Sequence, residues 1–307
     1  MRRLLSYFGM AVAIACLAFF AISLSRHWQA ISSIPLHGRL WPALAAATAL
    51  YMLSYLFSAK SWQLVLRTAA LPLGYLSAIR IVTISQFAKY IPGNVGHHIG
   101  RVLLAKKEGI PADVALSSMG VDAVLVLAAA ALCSLAAFGL IPELTAHYGV
   151  AVLRTIVAIA CVLTAAALVS LTSTLVRRYL AMALKQGSYL FHRGNRLTTC
   201  AAVLQNLCSF LLGTAALAII VAGVGQLPAA ALLNMLGIYS IAWLLGFLVP
   251  GAPAGLGVRE AVLIIGLSPL LGQETATTST ALLRMTTVLG DGISLLVGLW
   301  MKRFLSP

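Results

Sequence analysis

Long apolar runs separated by short polar stretches dominate the chain, at residues 4–24, 41–59, 76–91, 96–105, 114–140, 151–173, 199–224, 229–249, 256–272 and 278–301. A helix needs ~20 mainly apolar residues to cross hydrocarbon. By that measure 4–24, 41–59, 114–140, 151–173, 199–224 and 278–301 predict full spans. Runs 76–91 and 96–105 are each too short and part at Pro92-Gly93, so together they predict a broken re-entrant hairpin over 76–105. Runs 229–249 and 256–272 part at a second pair, Pro250-Gly251. They read as a hairpin over 229–272 or as two full spans. Either choice leaves both chain ends on one side, and the repeated motif spacing favours the hairpin. The expected fold is all-α and polytopic, with about six full spans plus two broken re-entrant hairpins. One transmembrane domain would cover 1–307, in halves of about 1–140 and 151–307. Hairpins entering from opposite faces would make these halves an inverted repeat.

Composition supports a membrane protein. The 307 residues are 61% hydrophobic and only 9% charged, with a mean hydropathy of +0.99; a soluble domain carries ~25% charged residues. The net charge of +14 would suggest nucleic acid in a soluble protein, but it follows here from loop asymmetry. With a cytoplasmic N-terminus, one side collects Arg2, Arg3, Lys60, Arg67, Arg80, Arg101, Lys106, Lys107, Arg177, Arg178, Lys185, Arg193, Arg196, Lys302 and Arg303, which is 15 of the 21 basic residues. The opposite loops hold Arg26 and Arg39 but little else that is positive, and 141–150 and 270–278 contribute only Glu143 and Glu274 as charges. That is the positive-inside pattern, and it places a multi-pass protein in the cell's inner membrane with both termini cytoplasmic.

The start, Met1-Arg2-Arg3, mimics a signal peptide. Its apolar stretch to Leu24 is longer than an h-region and lacks a small-x-small cleavage site, so it reads as a retained span. The basic loop 174–198 is the natural place for an interfacial helix against anionic lipid. Cys16, Cys133, Cys161, Cys200 and Cys208 lie inside apolar segments without a CxxC, as small core hydrophobes.

The two breaks share a spacing. Pro92-Gly93 is followed by Arg101, and Pro250-Gly251 by Arg259, each arginine nine residues after its proline. Aligned on the prolines, only Pro, Gly and Arg coincide. Broken helices with charge at membrane depth usually line a substrate path, because lipid satisfies neither loose backbone nor a lone ion. At the first break, Gly93 and Gly96 allow a tight turn and close ligand approach. The helix restarting beyond Asn94 would aim free N–H groups at an anion, most naturally a phosphate. Lys89 and Arg101 flank it with a point charge and a planar fork. The competing reading has both cations snorkelling to headgroups. His97 and His98, consecutive on a helix, would point ~100° apart, which suits headgroup hydrogen bonding or a pH-sensitive contact better than metal binding.

At the second break, Gly255-Leu256-Gly257 precedes Arg259 and Glu260. Neighbouring helical residues do not face each other, so each would have its own partner. Glu260 is the candidate carboxylate for a cationic group or a proton. Asp122 lies within 114–140, and Arg284 and Asp291 fall on one face of the last run, about two turns apart. Lys89, Asp122, Arg259, Glu260, Arg284 and Asp291 balance in sign. They would line a shared polar cavity, or form a self-neutralising ion network within the bundle.

No HExxH, GxSxG, CxxC or Walker loop occurs. The chain therefore carries no catalytic signature, metal set or cofactor motif, and its energy source would be an ion gradient, the membrane potential or the substrate's own gradient.

Lys89-Tyr90-Ile91-Pro92-Gly93-Asn94-Val95 and Pro250…Ala254-Gly255-Leu256-Gly257-Val258-Arg259-Glu260 resemble the two signature stretches of the lysylphosphatidylglycerol synthase transmembrane region, also called the flippase-like family. The resemblance covers most of the chain. Family members with a C-terminal cytosolic aminoacyltransferase domain make aminoacylated phosphatidylglycerol, and their membrane part moves it to the outer leaflet. This chain stops at Pro307, so the expectation is that synthesis is absent. Ala254 stands where the family commonly has glycine. His97-His98 make the chain similar to stand-alone members near glycosyltransferases, whose cargo would be a polyprenyl-phosphate-linked sugar.

The resulting expectation is a flippase for an anionic or phosphate-linked lipid, either a polyprenyl-phosphate sugar or a modified phospholipid. An integral-membrane enzyme on a lipid-linked phosphate, with Glu260 or Asp291 as base and His97 or His98 as acid, is the first alternative. The second is a non-transporting partner of a lipid synthase or glycosyltransferase.

Overall fold

A computed structural model describes residues 25, 38–69, 71, 73–90, 96–150, 195–249 and 253–305. The described residues are helical throughout: α1 Leu40–Thr68, α2 Tyr75–Gln86, α3 Gly96–Lys107, α4 Ala112–Ser134, α5 Ile141–Tyr148, α6 Arg196–Val224, α7 Ala231–Leu248, α8 Val258–Leu271 and α9 Gln273–Leu305. Short 3-10 stretches occupy Phe87–Tyr90, Leu135–Leu140 and Pro253–Gly255.

The protein is a multi-pass membrane protein. Among the described residues, five helical stretches are long and apolar enough to cross a membrane: Leu40–Thr68, Ala112–Tyr148, Arg196–Val224, Ala231–Leu248 and Gln273–Met301. Four of these match expected full spans, and the fifth falls on run 229–249, expected as one arm of a hairpin or as a span of its own. The expected spans 4–24 and 151–173 lie outside the described residues, as does the loop 174–198 up to residue 194.

Helix length decides how the broken elements read. Helices α2 and α3 have 12 residues each, about 18 Å at 1.5 Å per residue, well short of the ~30 Å hydrocarbon core. They pack against each other, closely enough that a Cβ on Gly100 would sit 3.5 Å from Ser85 Cβ. Helix α7 has 18 residues and α8 has 14, about 27 and 21 Å. These two also pack together. A Cβ on Gly266 would meet Ile238 at 2.6 Å, so this glycine lets α8 approach α7.

Two stretches expected as loops are helical. Residues 141–150 contain α5, with a proline in its first turn and Gly149 ending it at φ 78°. Proline at a helix start loses no hydrogen bond, and glycine adopts the left-handed terminus freely. Within 270–278 the break is narrow: Gly272, at φ 81°, separates α8 from α9. Pro269 sits inside α8.

The described residues divide into two compact units, each taking segments from both sequence halves. The first is drawn from 1–51, 130–169 and 210–288, the second from 52–129, 170–209 and 289–307. The core of the first contains Ala47, Leu140, Leu217, Ile220, Met235, Ile238, Leu263, Leu267 and Leu283. That of the second packs Leu64 and Val65 of α1, Val121 and Leu125 of α4 and Ala202 of α6. Polar pins join the same three helices. Ser61 Oγ donates to Asp122 Oδ1 at 2.7 Å, Asn206 Nδ2 donates to Ser61 Oγ at 2.9 Å, and Trp62 Nε1 donates to Ser118 Oγ at 3.0 Å. Inside apolar surroundings such groups hold only when each finds a partner.

Candidate functional site

In the second unit, α2 ends in the 3-10 turn Phe87–Tyr90, which carries Lys89 to the edge of the first break. Pro92, Gly93 and Asn94 lie outside the described residues. Lys89 Nζ lies 2.7 Å from Asp291 Oδ2, with the Asp291 carboxylate wholly buried on α9. Tyr90 Oη donates to the same oxygen at 2.5 Å, and Tyr55 Oη donates to Oδ1. Lys89 Nζ also reaches Tyr55 Oη at 3.2 Å. One buried carboxylate thus gathers an ammonium and two phenols, and the donors spread its charge. The segment of α9 beyond Asp291 comes close to α2, because a Cβ on Gly298 would lie 2.5 Å from Thr83 Oγ1 and 2.8 Å from Ile84 Cγ1.

Helix α3 restarts at Gly96 and places Arg101 on its buried face. Arg101 is 6% exposed and lies with its Cζ 5.3 Å from the centre of the Trp62 ring. Its Nη1 stands 3.8 Å from Asp122 Oδ2, a loose ion pair, and its buried Nε has no hydrogen-bond partner. His97, one turn earlier, has a buried Nδ1 in the same condition. The His97 and His98 rings, expected about 100° apart, instead lie 3.9 Å centre to centre at a tilt of 38°. The start of α3 thus carries His97, His98 and Arg101 within two turns, a concentration of nitrogen-bearing side chains.

The first unit holds the second break. The turn before α8 uses left-handed backbone at Ala254 (φ 52°), Gly255 (φ 68°) and Gly257 (φ 84°). Glu260, three residues past Gly257, reaches back to accept that residue's N–H with Oε2 at 2.6 Å. This is the carboxylate half of a capping box, on the helix end where negative charge is favourable. Its other oxygen lies 3.3 Å from Arg284 Nη1, the two side chains 4% and 17% exposed. Arg259 goes elsewhere: its guanidinium lies 5.7 Å from the centre of the Trp243 ring. Trp243 in turn stacks on Phe247 at 5.3 Å and 7° and meets Phe210 edge-on. Arg259 and Glu260 therefore have separate partners, as their adjacency implies. Tyr51, Tyr239, Trp243, Arg259, Glu260, Thr280, Arg284 and Thr287 are among the residues that line a small cavity here.

The sequence-expected charges thus resolve into Lys89–Asp291 and Arg101–Asp122 in the second unit and Arg284–Glu260 in the first. Arg284 and Asp291, expected on one face of the last run, join different pairs. Sequence reasoning missed Tyr55, Tyr90, Ser61, Asn206 and Trp243. Asn206 carried a readable signal, as a polar side chain in a strongly apolar span; the tyrosines look like ordinary interface aromatics until Asp291 is placed beside them. Among the described residues no cluster of three or more His, Cys, Asp and Glu could hold a metal ion.

The family model for the lysylphosphatidylglycerol synthase TM region matches residues 6–293. No curated protein matches the chain.

Proposed function

We propose that this chain, which belongs to the lysylphosphatidylglycerol synthase TM family, moves an anionic or phosphate-linked lipid between the leaflets of the cell's inner membrane, with both termini cytoplasmic. The cargo is a polyprenyl-phosphate sugar or a modified phospholipid. A lipid synthase or glycosyltransferase supplies it, and it leaves chemically unchanged.

The observation that carries this reading is the state of Arg101. A guanidinium buried to 6% exposure, 3.8 Å from its nearest carboxylate and with Nε unpartnered, has donor capacity to spare. A buried, under-satisfied cation is costly in hydrocarbon and is retained where a ligand completes it. A headgroup phosphate offers the planar, bidentate match that guanidinium suits. At the start of α3 the phosphate would meet His97 and the free N–H groups of the first helical turn. Lys89, held by Asp291, is the reserve charge at the break. Acyl or prenyl tails need no protein site, because they stay in lipid.

The test is leaflet exchange of fluorescent short-chain phosphatidylglycerol in liposomes holding the purified full chain. R101Q and H97A should each slow exchange at least tenfold while the protein elutes as a folded species. Exchange at the wild-type rate in R101Q removes Arg101, and with it the support for this reading.

A further inference from the structure

The cavity beside Arg259 is built entirely from the first unit, and its chemistry is lopsided. Its volume is about 50 Å³, room for a small polar ligand. Two guanidinium groups, Arg259 and Arg284, and one carboxylate, Glu260, border it, leaving one positive charge in excess. Glu260 is committed to the Gly257 N–H and to Arg284. No carboxylate among the described residues pairs with Arg259, whose buried Nε has no hydrogen-bond partner. The hydroxyl of Thr280, a residue 1% exposed that lines the cavity, is also unpartnered. The spare groups are thus an N–H donor and a hydroxyl that can donate as well as accept.

The shape of the site favours the same ligand. The Trp243 ring lies beside the Arg259 guanidinium, its centre 5.7 Å from Cζ, and is itself packed by Phe247 and Phe210. Two glycines make room for the arginine stem: a Cβ on Gly246 would lie 2.5 Å from Arg259 Cγ, and one on Gly255 2.8 Å from Arg259 Nε. An aromatic neighbour takes none of the guanidinium's N–H donors, which stay available to an oxyanion.

The geometry points to a single-anion site in which Arg259 docks one oxyanion, with the Thr280 hydroxyl as a second donor. The oxyanion is the phosphodiester of a lipid headgroup or a free inorganic phosphate. Glu260 is not a ligand there; it holds Arg284 in place and keeps the site's net charge at one. This site does not depend on lipid translocation and would hold for a protein that moves no lipid.

Calorimetric titration of the full chain in a neutral maltoside detergent tests it, with dihexanoyl phosphatidylglycerol, dihexanoyl phosphatidylcholine and sodium phosphate as probes at constant ionic strength. Phosphatidylglycerol or phosphate should saturate an Arg259-dependent site that R259Q weakens at least tenfold and T280V weakens severalfold. Saturation by phosphate as well as by the lipid means that a free anion suffices; saturation by the lipid alone makes the headgroup the ligand. R101Q, in the second unit, should keep the Arg259-dependent binding, so translocation can fail while this site stands. If R259Q does not fold, R259K replaces it, keeping the charge without the fork. Absence of binding by phosphatidylglycerol and phosphate overturns the assignment. So does equal binding of phosphatidylcholine and phosphatidylglycerol. Wild-type affinity in R259Q overturns it, as does wild-type affinity in R259K and T280V together.

Discussion

Replacing Glu260 by glutamine should expose how much of the second break rests on one ion pair. Gln keeps an acceptor for the Gly257 N–H, so the cap survives and only the charge facing Arg284 is lost. The two side chains are 4% and 17% exposed and 3.3 Å apart through a single oxygen. Breaking a buried pair by removing one partner costs about 3–5 kcal/mol. The single contact and the partly open arginine put E260Q near the lower end, at about 3 kcal/mol. R284M strands the carboxylate instead and should cost a similar amount. The double variant E260Q/R284M leaves neither charge stranded and should fall within about 1 kcal/mol of the parent, because apolar replacement of a whole buried pair is nearly neutral. Unfolding of the four proteins in mixed detergent and SDS closes the cycle, with an expected coupling of at least about 2 kcal/mol. Additive losses, or single losses below about 0.5 kcal/mol, would show that Glu260 and Arg284 do not stabilise each other. E260A, which removes the cap as well, should lose about 1 kcal/mol more than E260Q.

Other positions give equally direct expectations. Ala254 holds a left-handed conformation (φ 52°, ψ 25°) that costs an L-residue about 1–2 kcal/mol. Glycine forfeits about 0.4–1 kcal/mol through its freer unfolded chain, so A254G should raise the unfolding temperature slightly, and A254V should lower it. D291N leaves Lys89 buried opposite a neutral amide and should cost about 3 kcal/mol, with K89M/D291N recovering most of it; no recovery would remove the pair from the account. G246A drives a methyl into the Arg259 stem and should cost about 1–3 kcal/mol, a loss that R259A should relieve in the same denaturation series.

The membrane spans were legible because hydrocarbon thickness imposes a length on apolar runs, and α1, α4, α6 and α9 each enclose or closely overlay the expected segment. The breaks were legible for a related reason: runs 76–91 and 96–105 are too short to span, and α2 and α3, like α7 and α8, are separate helices. Pairing was not legible. Lys89 meets Asp291, and Arg101 meets Asp122, through contacts between helices that no local spacing encodes, and periodicity alone put Arg284 and Asp291 on one face without revealing that each looks to a different partner. The helix over 141–148 is hidden in the sequence because Glu143 also fits a loop between two spans. Pro142 followed by an acidic residue is equally a helix start. The capping role of Glu260 was available in Gly257-Val258-Arg259-Glu260 as acid three residues past a cap, yet its charge at membrane depth drew the reading towards ligand chemistry. The His97 and His98 rings meet at a tilt of 38°, because side-chain torsions can bring together groups that leave the helix ~100° apart.

The central claim is that a lipid changes leaflet and nothing else. The most direct measurement places the purified full chain in liposomes containing phosphatidylglycerol and a polyprenyl-phosphate sugar. It follows leaflet exchange of each lipid and then determines every lipid mass. The account predicts faster exchange of at least one of them than in protein-free liposomes, with all masses unchanged. An altered mass, or no exchange of either lipid, would contradict it.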